Sequence, residues 1–258
     1  MSLFDAGTAG SAPAKCKLVV AYDGTGFHGF AAQPNQRTVG GSLASALHKV
    51  LRHEVELTCA GRTDSGVHAW GQVVSFEAMP GLDPWRVQSS LNSMLAPEIV
   101  VRSADLVDGS FDARFGATSR HYRYTIVNRP QPDPFRALYS WWIDTPLDLR
   151  AMRLAADVFI GEHDFASFCR KRDQAGTTTV RRVLESCWHD LGDGVLRYDI
   201  TATAFCWQMV RSIVGTLAEV GTGKRRPGDL MAVLRARDRA LAGNLAPPHG
   251  LCLWDVAY

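Results

Sequence analysis

The chain has 258 residues, 46% hydrophobic and 21% charged, enough to build a sizeable core in one large domain or two small ones. Its net charge is only +2, so any electropositive surface must come from where the charges sit, as in Arg170-Lys171-Arg172, Arg181-Arg182 and Lys224-Arg225-Arg226. No run of about 18 apolar residues occurs, which excludes a membrane-spanning helix. The six cysteines include no C-x-x-C pair and several lie in apolar runs. They read as small core residues of a reducing compartment, forming neither a disulfide framework nor a zinc site. Residues 1–14 lack the basic and apolar regions of a secretion signal, so they are predicted to be a disordered tail on a cytoplasmic protein.

The first predicted strand covers residues 16–22 and ends at the turn signal Asp23-Gly24. A helix is predicted from Thr38 to His53, with Val39, Leu43, Leu47, Val50 and Leu51 as its apolar stripe. Strands at EVELTCA and QVVSFEA flank a loop over residues 61–66. Asp83-Pro84 then starts a helix, with Asp as cap and Pro in the first turn, and Trp85, Leu91, Met94 and Leu95 as apolar contacts. A strand follows over 99–107.

In SRHYRYTIVN, residues 119–128, Tyr122, Tyr124 and Ile126 share one face of a strand. A proline-rich connection leads to a strand at ALYSWWI and a helix from Asp148 to Ile160. His163 and Asp164 are expected to brace a turn before Phe165 and Phe168. Strands at 178–190 and 195–203 flank Gly192-Asp193-Gly194, a hairpin signal. Helices from Trp207 to Val220 and from Pro227 to Leu234 precede the final strand, GLCLWDVAY. Both halves read as antiparallel strands backed by two helices, a tandem α+β architecture with two sheets that could join into one.

The loop between the second and third strands holds Arg62, Thr63, Asp64 and Ser65 between Gly61 and Gly66. Asp-Ser-Gly is ordinary turn chemistry, yet a carboxylate and a guanidinium on such a loop can also be presented to a ligand. The run GRTDSGVHAWGQV resembles the signature of the tRNA pseudouridine synthase A family. YDGTGFHGF, QPNQRTV, FDARFGATSRHYRYTIVN, GEHDFASF, FCWQMVRSIVGTLAEVGTG and APPHGLCLWDVAY match that family in the same order, from residue 17 to the C-terminus.

The resemblance implies two tandem modules, here 15–110 and 111–258, with an active cleft between them. It implies isomerisation of uridine to pseudouridine at positions 38, 39 or 40 of the tRNA anticodon stem-loop, by a homodimer, without cofactor or metal. It makes Asp64 the catalytic carboxylate, acting at C1′, at C6 or through a glycal. Arg211 would be its cationic partner, Tyr122 the ring that packs on the base, and Arg62 the side chain that fills the gap left by a flipped uridine. His68 and Trp70 read as structural supports of the loop. The chain departs from the family pattern at Phe30-Ala31-Ala32, Trp207 and Ser212, none expected to touch Asp64, Tyr122 or Arg211. Two rival readings are a non-catalytic RNA-binding pseudoenzyme on the same scaffold and a hydrolytic N-glycosidase, which would need a second acid or base and a positioned water.

Overall fold

The computed structural model describes residues 14–170 and 178–258. The expected tail lies outside them except for Ala14, and so do Lys171 and Arg172 of the first basic cluster. Ala14 already belongs to β1 (Ala14–Tyr22), whose alternate residues Cys16, Leu18 and Val20 are fully buried. Helix α1 (Val39–Leu51) starts where the Thr38 hydroxyl accepts from the Gly41 N–H, and it buries Leu43 and Leu47 one turn apart. β2 (Thr58–Cys59) is much shorter than the strand expected over EVELTCA, and β3 (His68–Glu77) starts earlier than expected. The earlier start of β3 comes from its neighbours, since β10 pairs with His68 and Ala69, while β2 meets β3 only at Val74 and Ser75. Helix α2 (Pro84–Leu95) has the predicted Asp83 cap, but it buries Val87 and Leu91 and exposes Trp85 and Met94, which were expected in its contacts. β4 (Ile99–Asp108) completes this half.

The second half runs β5 (Ser119–Asn128), β6 (Trp141–Ile143), α3 (Leu149–Ala156), β7 (Gly161–Asp164), β8 (Val180–Asp190), β9 (Val195–Ala202), α4 (Met209–Gly221), α5 (Asp229–Ala236) and β10 (Leu251–Ala257). Only the end of ALYSWWI is a strand. Helix α3 gives way to a 3₁₀ turn over Asp157–Phe159 before reaching Ile160. His163 and Asp164 lie in β7, paired with Arg181 and Val180. Asp164 still shapes the chain beyond β7, since its carboxylate accepts from the Ala166 N–H at the next 3₁₀ turn. Among the described residues three helices accompany this half, the three that the sequence pattern marks, against the two per half of the expected tandem architecture.

The ten strands form one sheet in the order β4-β1-β3-β10-β5-β9-β8-β7, with β2 and β6 added on β3 and β5. The joint is the last strand. β10 runs parallel to β3 and antiparallel to β5, so the C-terminus closes the two halves together. Register carries a row of residues across that joint: Tyr22, Ala69, Leu253, Tyr122 and Ile200, all buried.

The expectation of six free thiols is overturned. Cys169 and Cys206 form a disulfide, with Cα atoms 5.6 Å apart, while Cys16, Cys59, Cys187 and Cys252 are free. The partners are 37 residues apart with no motif between them, and it is the fold that brings the turn before Cys169 beside the segment leading into α4.

The neighbouring row of the sheet centres on Asp199, only 3% exposed. Its carboxylate accepts from His121 at 2.8 Å, Arg123 at 2.9 Å and Arg197 at 2.6 Å. Burial opposes its ionisation, but these hydrogen bonds and the Arg197 charge outweigh burial and hold its carboxyl far below the usual range. A depressed carboxyl pKa stabilises the fold above its unfolded value of about 3.9, and that contribution fades as pH falls below it. The difference in urea midpoint between wild type and Asp199→Asn is therefore expected to be largest near neutrality and to shrink below about pH 4. A difference that stays constant down to acid pH would refute this role.

Candidate active site

The loop over residues 61–66 gets its shape from buried polar groups. Gln72, fully buried on β3, donates to the Gly61 carbonyl at 2.6 Å and accepts from the Gly61 N–H at 3.3 Å. The Tyr22 and Thr63 hydroxyls share a hydrogen bond of 2.7 Å. The motif YDGTGFHGF forms the floor: the Phe30 N–H donates to the Thr63 carbonyl, and the Ser65 hydroxyl donates to the Phe27 carbonyl. Gly29, at φ +86°, lies so close that a Cβ would stand 2.8 Å from the Thr63 oxygen, which explains a glycine there. The two motifs are thus one piece of structure.

Asp64 points from this loop toward α4. One carboxylate oxygen accepts from Arg211 Nη1 at 3.1 Å and the other from Trp207 Nε1 at 2.9 Å. Its side chain is 24% exposed and that of Arg211 is 11% exposed, so the pair lies at the edge of the interior. The guanidinium is aimed by a second contact, since Arg211 Nε donates to the Ala246 carbonyl at 2.8 Å and the Ala246 N–H donates back to the Arg211 carbonyl. That return is possible because Gly215, one turn along α4, lets the Asn244 carbonyl come within 1.7 Å of where a Cβ would be.

The contact with Trp207 corrects the expectation that this departure lies clear of Asp64. A signal for it was present: Trp207 lies four residues before Arg211, close to one helical turn.

Tyr122 is 8% exposed on β5, with Phe205 edge-on at 5.0 Å between centroids. Burial first, and the Asp64 charge second, push its phenol well above the usual range, so it stays protonated. Arg62 is exposed at the rim of the same loop. The structure therefore brings Asp64, Arg211 and Tyr122 together and leaves Arg62 facing solvent.

The family model for tRNA pseudouridine synthase matches residues 18–116 and 155–258. The tRNA pseudouridine synthase A of Brevibacillus brevis is 44% identical over 246 residues, covering 95% of this chain and 99% of that protein. The chain belongs to the tRNA pseudouridine synthase family. Proteins of the same name from an Exiguobacterium species and from Bacillus subtilis are 41% and 40% identical, each over 95% of this chain and 98% and 99% of their own lengths.

Within this family member, other side chains support the loop. His68 Nδ1 accepts from the Gly24 N–H at 3.0 Å, and Nε2 lies 3.1 Å from the Leu138 and His249 carbonyls. Burial pulls the His68 pKa down against the nearby Asp23 charge, which suits a neutral clamp. Trp70 stacks on Trp254 at 5.8 Å, with the Arg102 guanidinium 4.2 Å from its ring centroid. Arg120 was missed in the sequence: it donates to the Ala60, Ala117 and Thr203 carbonyls, tying the base of the loop to β9.

Gln72→Ala would leave half-buried Gly61 groups unpaired, lowering stability by about 1–3 kcal/mol in urea unfolding. Gly215→Ala is expected to lower it by a similar amount, about 1–3 kcal/mol, by displacing the segment that aims Arg211. Wild-type midpoints in both variants would show that neither contact matters.

Proposed function

We propose that this protein isomerises uridine to pseudouridine in the anticodon stem-loop of tRNA, at positions 38, 39 or 40, with Asp64 as its catalytic carboxylate. The observation that carries the reading is a carboxylate held on both oxygens by Arg211 and Trp207, beside the buried ring of Tyr122, on a loop whose sequence the family signature describes.

The reaction breaks the N1–C1′ bond and joins C5 to the same carbon. C5 loses a proton and N1 gains one, so no electrons are exchanged with a cofactor. Asp64 supplies the negative charge the sugar carbon or the pyrimidine needs, by attack at C1′, attack at C6 or removal of a sugar proton toward a glycal. Arg211 offsets the cost of keeping that charge away from bulk water. Tyr122 offers a flat ring for the uracil and, because it stays a neutral phenol, an O–H to donate to the detached base. A phenolate base is not what this environment favours.

Arg62, exposed on the rim, is suited to occupy the stack that the flipped uridine leaves. Residues 15–110 and 111–258 act as two modules, and Asp64 comes from one while Arg211 and Tyr122 come from the other. A cytoplasmic homodimer, with basic clusters of two copies along one RNA path, accounts for tRNA binding by a protomer of net charge +2. RNA binding by this path weakens as salt rises.

The test is tRNA carrying tritium at C5 of uridine. Wild type is expected to release tritium and keep the base in the chain, and Asp64→Asn to lose turnover by several orders of magnitude. Free uracil would indicate a glycosidase, and binding with neither product a non-catalytic module. Tyr122→Phe is expected to bind tRNA normally and turn over about 10²-fold more slowly. Normal turnover would remove its O–H from the mechanism and leave only the ring.

A further inference from the structure

The segment between β9 and α4 has no regular structure over Ala204–Cys206, yet it delivers two side chains to the site, Phe205 against Tyr122 and Trp207 against Asp64. Gln208 then enters α4 in a left-handed conformation, at φ +63°, without a side-chain cap. Arg170 helps hold the segment at Trp207. The Arg170 N–H donates to the Trp207 carbonyl at 2.9 Å, and the Arg170 guanidinium lies 4.4 Å from the ring centroid. Next to both sits the Cys169–Cys206 disulfide.

Cys169 is anchored in the core. It follows a 3₁₀ turn in which Phe168 is fully buried and the Ser167 hydroxyl donates to the Val233 carbonyl of α5. The disulfide therefore ties an irregular segment to a rigid one, one residue before the indole that touches Asp64.

We propose that Trp207 is a positioning residue for Asp64 and that the Cys169–Cys206 disulfide holds it there, so that turnover responds to dithiol reductants. The proposal rests on the catalytic reading of Asp64. Reduction is balanced by the reagent: a dithiol gives two electrons and two protons, the S–S bond becomes two S–H groups, and the reagent becomes a disulfide. In the reducing compartment expected from the sequence such a bond is conditional and not permanent. With it open, the segment loses its covalent tie to the 3₁₀ turn that ends at Phe168.

Three measurements test this on the full chain. Thiol titration of protein purified without reductant and then unfolded is expected to find four thiols, against six after dithiothreitol. Six at the outset would remove the disulfide. In the tritium-release assay, Trp207→Phe keeps a ring for Arg170 but loses the N–H. Its kcat is expected to fall about tenfold with the KM for tRNA unchanged. Unchanged kcat, or kcat and KM moving together with a lower Tm, would overturn the positioning role. Oxidised wild type is expected to lose a similar factor on treatment with dithiothreitol, while Cys206→Ser starts at the reduced level and does not respond. An unresponsive wild type, or a responsive Cys206→Ser, would overturn the role of the disulfide. If Asp64→Asn is inactive and Trp207→Phe is normal, this proposal alone falls; if Asp64→Asn turns over normally, the catalytic reading falls with it.

Discussion

A carboxylate near the edge of a protein interior needs donors to replace the water it loses. Asp64 finds both donors more than 140 residues away, in Trp207 and Arg211. That separation makes the site a product of the joint between the halves. The loop is set from one side by Tyr22, Thr63 and Gln72. The arginine is set from the other by Ala246 and the close approach at Gly215. Geometry of this kind tolerates little drift, since a shift of about 1 Å in a reacting group can cost orders of magnitude in rate.

The joint depends on β10. A sheet split between two halves could open at its middle, but the last strand of the chain pairs with β3 on one edge and β5 on the other. The same register places Tyr122 in one row with Tyr22, Ala69 and Leu253. Tyr122 is thus level with the residue whose hydroxyl fixes Thr63, next to Asp64 in sequence. Its neutrality follows from that position, because a phenolate there would be both desolvated and repelled by the neighbouring carboxylate.

Local features were legible in the sequence and long-range ones were not. The cap at Asp83, the glycine turn before β9 and the alternation in β5 depend on neighbours a few residues apart, and each appears where the pattern puts it. The loop motif was legible through its resemblance to the family signature; by itself it reads as an ordinary Asp-Ser-Gly turn. The disulfide, the Arg120 staple and the place of β10 were not legible, because each depends on which distant elements the topology makes adjacent. Strand ends failed for the same reason, as β3 shows, since it starts four residues before the expected run where β10, from the far end of the chain, pairs with His68 and Ala69.

The two donors on Asp64 do different work. Arg211 has spent its Nε on Ala246, so it meets the carboxylate through one nitrogen and not as a two-point fork. A one-point ion pair fixes a distance but leaves the carboxylate free to turn about its own axis. The indole N–H of Trp207 takes the other oxygen, and a ring with Arg170 over its face cannot swivel with it. Charge therefore comes from Arg211 and orientation from Trp207, and each oxygen keeps lone-pair capacity for a substrate. The residue at 207 decides which way the carboxylate faces, although the sequence had marked it only as the start of a helix and a departure from the family pattern expected to lie clear of Asp64.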